Sequence, residues 1–173
     1  MKKYLKLAAV SIFALSAINA HAITGTGNAS ATILEDTGIT ESQAMDFGYL
    51  LKGAAEHTVV LDTNNLRSGT EAYLVGGTAA KSGLFAITGA AGQSIKITVP
   101  TSFTLSNGTK SLNVSNVRVK IGATGSEQNA GTNLAGTISD QGGLELAVGG
   151  SLTIPSTATT GVYTGTYEVV VNY

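Results

Sequence analysis

Short β-rich runs separated by glycine, asparagine, aspartate and serine recur along most of the chain, and they limit its fold more than any other feature. The clearest run is 94–99, where isoleucine and valine alternate with lysine and threonine before Pro100. Alternation with period two places one set of side chains on each face of a strand. No window keeps apolar residues at helical spacing for three turns. The sequence therefore predicts an all-β fold of about nine to eleven antiparallel strands, arranged as a sandwich or barrel.

Strands are expected wherever a run of strong β formers is bounded by turn residues. Such runs are 29–34, 45–51, 58–61, 71–75, 84–88, 94–99, 103–105, 112–121, 144–154 and 162–173. Asn107-Gly108 predicts a hairpin turn. The apolar positions change parity near Asn116, which predicts a bulge in that strand. Gly149-Gly150 predicts a break in the run that contains it.

The first 22 residues have the pattern of a cleavable export signal. A lysine-rich start precedes an apolar stretch over 7–17, and the small residues Ala20 and Ala22 fit the cleavage rule. The apolar stretch is too short for a transmembrane helix, which needs about 20 residues. The pattern predicts a signal peptide over 1–22 and a single domain over 23–173, located in the periplasm, at the cell surface or outside the cell.

Composition limits how such a domain can be stabilised and which partners it can bind. There is no cysteine, so an exported chain must be held by packing and strand pairing without disulfides. Hydrophobic residues make up 43%, enough for a buried core. The formal charge is −1, which gives no electrostatic reason to expect nucleic acid as a partner.

Residues suited to catalysis are scarce. Beyond the signal region His57 is the one histidine, which excludes a zinc site built from several histidines or cysteines, and it is interpreted as a surface-strand residue. No serine lies in a Gly-x-Ser-x-Gly turn. Asp62, Asn64 and Asn65 offer oxygen atoms but lack the calcium-loop pattern, so a plain turn is favoured and ion binding stays open. The sequence predicts no enzyme, no cofactor and no small-molecule substrate.

The last run carries the most specific pattern. Alternate positions there predict one inward face of a half-buried strand at the end of the chain. These positions are Gly161, Tyr163, Gly165, Tyr167, Val169, Val171 and Tyr173. Two classes end in this way: the pilin-like immunoglobulin fold of fimbrial subunits, and the outer-membrane barrel that closes on an aromatic residue.

Several motifs in order resemble the bacterial secreted family catalogued as domain of unknown function 4402. The matching stretches are Met45-Asp46-Phe47-Gly48, 85–89, 95–100, 148–152 and 161–173. That family in turn resembles pilin and spore-coat-U type domains, so the resemblance implies an immunoglobulin-like, pilin-like β-sandwich and an exported location. The chain departs from the better-known pilins in lacking their usual disulfide.

The pilin analogy implies assembly by strand exchange. A subunit that lacks a strand is completed by the N-terminal extension of its neighbour. Candidate donor residues share one parity: Ile23, Gly25, Gly27, Ala29, Ala31 and Ile33. The alternative, which the residues favour, is that 29–33 belongs to the domain's own first strand and 23–28 is a flexible tail.

Three functions are compatible with these features. The first is a structural pilin-like, fibre or coat subunit whose partners are copies of itself, other fibre subunits and an assembly chaperone. The second is a monomeric secreted binding module for a glycan or protein, displaying loops such as 122–131. The third and least favoured is a small outer-membrane barrel, because aromatic residues are only 6% and two interfacial girdles need more.

Overall fold

The computed structural model describes residues 23–33, 35–76 and 79–173. The chain divides into two units, 1–32 and 33–173, and every strand found in the described residues lies in the second. The predicted signal peptide lies outside the described residues. The strands are β1 (Gly38–Gln43), β2 (His57–Leu61), β3 (Arg67–Gly69), β4 (Gly83–Thr88), β5 (Ser94–Thr98), β6 (Phe103–Ser106), β7 (Ser111–Ile121), β8 (Gln128–Asn129), β9 (Leu134–Thr137), β10 (Gly143–Ile154) and β11 (Val170–Asn172).

Two antiparallel sheets are formed, so the predicted all-β class is confirmed. Among the described residues eight strands join the larger sheet, and β11, β5 and β9 form the smaller one. The long strand β10 is the centre of the larger sheet. Its first half pairs with β4 and its second half with β2, while β7 pairs along its other edge. Strand β1 then extends the sheet beyond β4, and β6 and β8 extend it beyond β7.

A bulge lies where β7 passes the centre of β10. The register shifts between Gly149 and Ser151 of β10, opposite Asn116 of β7, whose φ is +48°. The predicted bulge is confirmed. The predicted break at Gly149-Gly150 is wrong, because β10 continues through both glycines. A Cβ at Gly149 would collide with the Leu61 carbonyl oxygen, so glycine is what allows β2 to approach β10 here.

The core is one cluster of buried residues that takes its side chains from both sheets. The apolar side chains that are almost wholly buried are Val59, Leu61, Ile87, Ile95, Ile97, Val99, Val114, Val119, Ile138, Leu146 and Val148. Strand β9 approaches β10 closely, since a Cβ at Gly136 would lie 3.0 Å from Leu144 Cδ2. The inward members of β5 are the alternate residues Ile95 and Ile97, as the period-two pattern predicts.

Several strand predictions are confirmed to within a residue or two, and others are wrong. The runs 58–61, 84–88, 94–99 and 103–105 all form strands, and Asn107-Gly108 lies in the β6–β7 hairpin. The run 71–75 instead contains a 3₁₀ turn, Glu71–Tyr73, because the Tyr73 and Leu74 amides bond locally to Thr70 and Glu71. The run 45–51 makes only isolated bridges, at Asp46 and Leu50.

The predicted first strand is also wrong. Residues 29–33 form no strand, and the first strand is Gly38–Gln43, which pairs with β4. The physical reason is that a strand needs a neighbouring edge, and β4 supplies one to the more polar segment. Strands β3 and β9 were not predicted either, because their glycine-containing sequences carry no alternation.

Candidate functional site

The C-terminal residues form less regular structure than their sequence predicts. Only Val170–Asn172 enters a ladder, pairing with β5, and Thr164 makes a single bridge with Ser106 of β6. The prediction of one continuous strand over 162–173 is therefore wrong. The predicted facing is partly confirmed: Tyr163, Tyr167, Val169 and Val171 are half-buried, whereas Gly161, Gly165 and Tyr173 are exposed.

The chain breaks its ladder here because it passes from one sheet to the other. Thr164 lies beside β6 at the edge of the larger sheet, and Val170 lies beside β5 in the smaller sheet. Residues 165–169, which connect them, pair with no strand of the described chain. Gly165 lies so close to the Thr104 carbonyl oxygen that a Cβ would collide with it, so the crossing needs glycine at this position.

An open slot lies beside this crossing, between two segments of the chain. We call residues 41–52 the first wall and residues 158–167 the second wall. Side chains of both walls line two cavities that meet at Met45, Phe47, Leu105 and Gly165. One cavity lies between the start of the first wall and the end of the second, and the other lies between the opposite ends. The two walls therefore run antiparallel to each other.

The smaller cavity has a volume of about 230 Å³ and an aromatic lining. The Tyr167 ring stacks on Phe103 at a centroid distance of 4.7 Å and meets Phe85 edge-on at 5.9 Å. The Tyr167 hydroxyl is buried without a hydrogen-bond partner in the described residues. Burial, with a smaller contribution from Glu41, raises the pKa of Tyr167 well above its usual range. The Tyr167 ring therefore packs against both phenylalanines in the lining of this cavity.

The larger cavity has a volume of about 570 Å³ and an apolar floor. Its floor is made by side chains of β6, β7 and β10, namely Leu105, Leu112, Leu152 and Ile154. At its rim Tyr49 is 68% exposed and Val162 is 81% exposed. Large apolar side chains on both rims leave a surface that a further apolar segment can cover.

Arg67 holds the first wall in place through hydrogen bonds to backbone carbonyls. Its guanidinium donates to the Phe47 carbonyl at 2.8 Å, to the Tyr49 carbonyl at 3.2 Å and to the Val75 carbonyl at 2.8 Å. The Leu51 amide also donates to the Tyr73 carbonyl at 2.9 Å. Hydrogen bonds from a charged donor are stronger than neutral ones, so this one side chain holds the wall in place.

The candidate donor residues lie in a segment that makes no strand. All residues over 23–33 are exposed, with Ile23 at 97% and Ile33 at 95%. The segment has no charged side chain, and glycine and alanine fill the alternate positions between its two isoleucines. It is an uncharged, exposed segment whose backbone has no ladder among the described residues.

His57 has a structural position. It is 8% exposed, so its interpretation as a surface residue is wrong. Its ring stacks on Tyr73 at 4.0 Å, and its Nδ1 lies 3.3 Å from the Ala55 carbonyl oxygen. Nε2 is buried with no hydrogen-bond partner in the described residues. The imidazole therefore packs against Tyr73 and lines neither of the two cavities of the slot.

The oxygens of the 62–65 turn already have partners inside the protein. Asp62 Oδ1 accepts from the Asn64 and Leu66 amides at 2.8 and 2.7 Å. Asn64 Oδ1 accepts from Lys120 Nζ at 2.8 Å. Asn65 Oδ1 accepts from the Ser82 amide at 2.7 Å. The predicted turn is confirmed, and its side chains connect β2 to its neighbours.

The described residues contain neither a clustered metal site nor a membrane-spanning helix. No group of three or more histidine, cysteine, aspartate or glutamate side chains is placed to hold a metal ion there. In the same residues no helix is both long and apolar enough to cross a membrane.

Sequence reasoning found one wall of the slot and missed the other. The second wall was singled out by the alternating apolar residues of the C-terminal run. For the first wall the sequence predicts an ordinary strand, 45–51, and it gives Arg67 no special role. Arg67 lies in the polar stretch 62–71, between Asp62 and Glu71, so no pattern in the sequence distinguishes it from a solvated cation.

Comparisons with known proteins give one result. No curated protein and no solved structure matches the chain significantly. A family model, described as a domain of unknown function (DUF4402), matches residues 37–173. This match covers both sheets, both walls of the slot and the C-terminal residues. The chain belongs to the DUF4402 family.

Proposed function

We propose that this protein is a non-catalytic structural subunit that assembles by strand pairing, with residues 23–33 of one copy inserted into the slot of the next. The observation that supports this proposal most strongly is that one chain has both an open slot and an unpaired segment that could fill it. The slot is a partly apolar gap between two walls, and 23–33 is an exposed segment that pairs with no strand of the described residues. Insertion would bury the exposed apolar groups of both.

The walls offer backbone groups to an inserted strand. Thr164 bonds to Ser106 through its amide and carbonyl, so in an extended chain the residues on either side direct theirs away from β6. Residues 165–169 have no ladder partner in the described chain. Because the walls are antiparallel, an inserted strand runs parallel to one and antiparallel to the other. Main-chain bonds to an exposed edge supply affinity in this mode of recognition.

The donor segment matches the slot in length and in charge. Eleven extended residues span about 36 Å. The first wall, residues 41–52, is of comparable length. Charged side chains lining the slot are few, Glu41, Asp46 and Lys52, and the donor has none. An uncharged strand enters such a slot without leaving a charge buried and unpaired.

A tyrosine corner supports the finer assignment of the fold as an immunoglobulin-like, pilin-like sandwich. The Tyr163 hydroxyl donates to the Thr159 carbonyl oxygen at 2.9 Å and lies 3.2 Å from the Thr159 amide. A tyrosine at the start of a late strand, bonded to backbone a few residues upstream, is typical of immunoglobulin-type sandwiches. The facing sheets with a shared core agree with the same architecture.

The proposal includes an exported location and a role without catalysis. The export signal over 1–22 supports a location in the periplasm or at the cell surface. The packed position of His57 and the internally bonded 62–65 turn support a structural use of the polar residues. Partners are then further copies of this chain or related fibre subunits, delivered by an assembly chaperone.

Gel mobility of the purified protein tests the proposal. Samples at increasing concentration are run in detergent without boiling and after boiling. We expect a ladder of oligomers that collapses to one band on boiling, because strand exchange buries a long backbone ladder. A variant lacking 23–33 should give only the monomer. A synthetic peptide of residues 23–33 should raise the melting temperature of that variant.

A matched pair of substitutions locates the contact. Ala44 is exposed and lines the smaller cavity, so Ala44→Phe fills the slot without disturbing the core and should abolish the ladder. Ala135, exposed on β9, is the control, and Ala135→Phe should leave the ladder intact. A wild-type protein that stays monomeric at every concentration, or a ladder that survives removal of 23–33, contradicts the proposal.

A further inference from the structure

One side chain organises the turn between β6 and β7. Asn107 Oδ1 accepts hydrogen bonds from the Thr109 amide at 3.0 Å and from the Lys110 amide at 2.8 Å. The Asn107 amide donates to the Lys110 carbonyl at 3.1 Å. The side-chain carbonyl of Asn107 therefore takes the place that a backbone carbonyl has in an ordinary turn, as asparagine can do.

The residue after Asn107 is a glycine, which is exposed and has a φ of +84°. A left-handed backbone favours glycine at this position. In the whole chain Asn107 is the only asparagine that a glycine follows. The Gly108 nitrogen is thus the one backbone nitrogen after an asparagine that the Cβ of its own residue does not shield.

Ser106 lies against the hydrogen on that nitrogen. Its hydroxyl donates to the Lys110 carbonyl at 3.3 Å and accepts from the Gly108 amide at 3.1 Å. Because the hydroxyl proton is directed to Lys110, a lone pair of the oxygen faces the Gly108 N–H. Ser106 is therefore placed to receive a proton that leaves the Gly108 nitrogen and to pass it on to water.

These contacts suit an attack by the Gly108 nitrogen on Asn107 Cγ. The two atoms belong to adjoining residues, so the attack closes a small ring and needs no encounter between separate molecules. Negative charge then develops on Asn107 Oδ1, to which the Thr109 and Lys110 amides already donate. Backbone amides aimed at a developing oxyanion stabilise such an intermediate.

We propose that Asn107-Gly108 is a self-modification site, at which the side-chain amide is lost and a carboxylate is formed. In the first step the bond from the Gly108 nitrogen to Asn107 Cγ forms and the Cγ–Nδ2 bond breaks. The proton of the Gly108 nitrogen passes through Ser106 and water to the leaving nitrogen, which departs as ammonia and leaves a cyclic imide. Water, the only co-reactant, then opens the ring. Opening at Cγ gives aspartate, and opening at the backbone carbonyl gives isoaspartate.

The modification alters a contact with the second wall. Asn107 Nδ2 donates to Thr159 Oγ1 at 2.9 Å, and Thr159 Oγ1 lies 3.2 Å from the hydroxyl of Tyr163, the residue of the tyrosine corner. A carboxylate has no proton to donate, so the Thr159 hydroxyl must donate to it and can no longer donate to Tyr163. Isoaspartate also adds one carbon to the backbone of the turn. Either product loosens the second wall beside β6, and this holds whether or not the protein assembles as proposed above.

Peptide mass spectrometry of the aged protein tests the inference. The full protein is kept folded in mildly alkaline buffer, sampled over time and digested, and a parallel sample is kept unfolded in urea. We expect the folded protein to gain one mass unit at Asn107, with aspartate and isoaspartate peptides that separate by chromatography. Asn113 and Asn116, which valine follows in β7, are internal controls and should stay unchanged.

Paired variants assign the conversion to the turn. Gly108→Ala should slow it about tenfold in both samples, because the new Cβ shields the attacking nitrogen. Ser106→Ala should slow it about threefold in the folded sample, through the loss of one hydrogen bond, and leave the rate in urea unchanged. The control Ser94→Ala, on exposed Ser94 of β5, should change neither rate. Circular dichroism checks that every variant is folded.

A further variant tests the effect on the second wall. Asn107→Asp supplies one of the two products directly and should melt at a lower temperature than the wild type. The loss should be smaller in a Thr159→Val background, because the contact between the turn and the second wall is already absent there.

Three results would overturn the inference. The first is a folded wild-type protein that gains no mass at Asn107 while the chain in urea converts completely. The second is conversion of folded Gly108→Ala and folded Ser106→Ala at the wild-type rate. The third is an Asn107→Asp protein that melts at the wild-type temperature, or one whose loss is the same with and without Thr159→Val, which would separate the turn from the second wall.

Discussion

The two halves of the protein interior are built from similar apolar side chains, yet one is closed and the other is open. Beneath the smaller sheet, Ile95 and Ile97 of β5 are almost wholly buried and their strand is paired on both sides. Beside the slot, Leu105 and Tyr167 are only half-buried and the chain over 165–169 is unpaired in the described structure. The difference is therefore in strand pairing and not in hydrophobicity.

This comparison shows what a further strand would change. The closed half has a second layer supplied by β5, β9 and β11. The slot half has two separate walls in that position, with cavities between them. One more strand would convert the open half into a copy of the closed one. Such a gap is costly for an isolated molecule, because half-buried apolar groups and unpaired edges favour association.

The largest expected effect comes from truncating a closed-half side chain. Ile97→Ala should lower the free energy of unfolding by about 2–5 kcal/mol, because it leaves a cavity in a fully packed site. Leu105→Ala in the slot half should cost less, about 1–2 kcal/mol, since Leu105 is half-buried and borders existing space. Urea unfolding of both variants measures the difference. Equal losses would mean that the two halves are equally closed.

A smaller loss of stability is expected when Arg67, which bonds to the first wall, is replaced. Arg67→Met keeps the length of the side chain but removes its hydrogen bonds to three carbonyls, and should cost about 2–3 kcal/mol. Arg118→Met is the control. Arg118 makes a half-exposed ion pair with Glu127 at 3.2 Å and hydrogen bonds to Asn129 Oδ1 at 3.1 Å and to the Glu127 carbonyl at 3.3 Å. Because this group is partly exposed to solvent, its loss should cost less, about 1 kcal/mol. The order of the two melting temperatures checks this, and a reversed order would remove Arg67 as the support of the wall.

The smallest effect at neutral pH is expected from Tyr167→Phe. The hydroxyl has no partner in the described residues, so its removal should change stability by less than about 1 kcal/mol. The raised pKa of Tyr167 makes the stability of the protein depend on pH in alkaline solution. Above about pH 10 the unfolded chain releases the phenol proton while the folded chain keeps it, so stability falls as the pH rises.

Comparing wild type and Tyr167→Phe at pH 8 and pH 10.5 isolates that loss. The wild type should lose more stability than the variant over this interval, and the excess is the contribution of Tyr167. An identical loss in both proteins would show that the phenol titrates at the same pH folded and unfolded, and hence that it is not enclosed in the smaller cavity.

The sequence was a good guide wherever a strand has a regular neighbour on each side. Alternation located β5 and the inward face of the C-terminal residues, and the parity change at Asn116 located the bulge. It failed where pairing depends on a distant edge. Residues 29–33 look more strand-like than Gly38–Gln43, yet only the latter lies beside β4.

The slot itself had no direct signature in the sequence. Beyond the end of β1 its walls pair with the rest of the described chain only through isolated bridges, and this incomplete pairing is what distinguishes them from ordinary strands. Arg67 similarly acts through backbone carbonyls, which every residue has, so no partner residue type marks it. Alternation of apolar and polar residues indicates which face of a segment is buried. It does not indicate whether the edges of that segment are paired with other strands.

Cysteine pairing tests the central claim, insertion of 23–33 into the slot, most directly. The chain has no natural cysteine, so single replacements report only the contact under test. Protein with Ala29→Cys, near the middle of the donor, is mixed with protein carrying Met45→Cys, where the two cavities meet, and oxidised. A disulfide requires the two Cα atoms to lie within about 7 Å. The account predicts a linked dimer on a non-reducing gel, and no such dimer when Ala135→Cys replaces Met45→Cys. Equal yields of dimer with Met45→Cys and with Ala135→Cys would contradict it, and so would the lack of a dimer with either one.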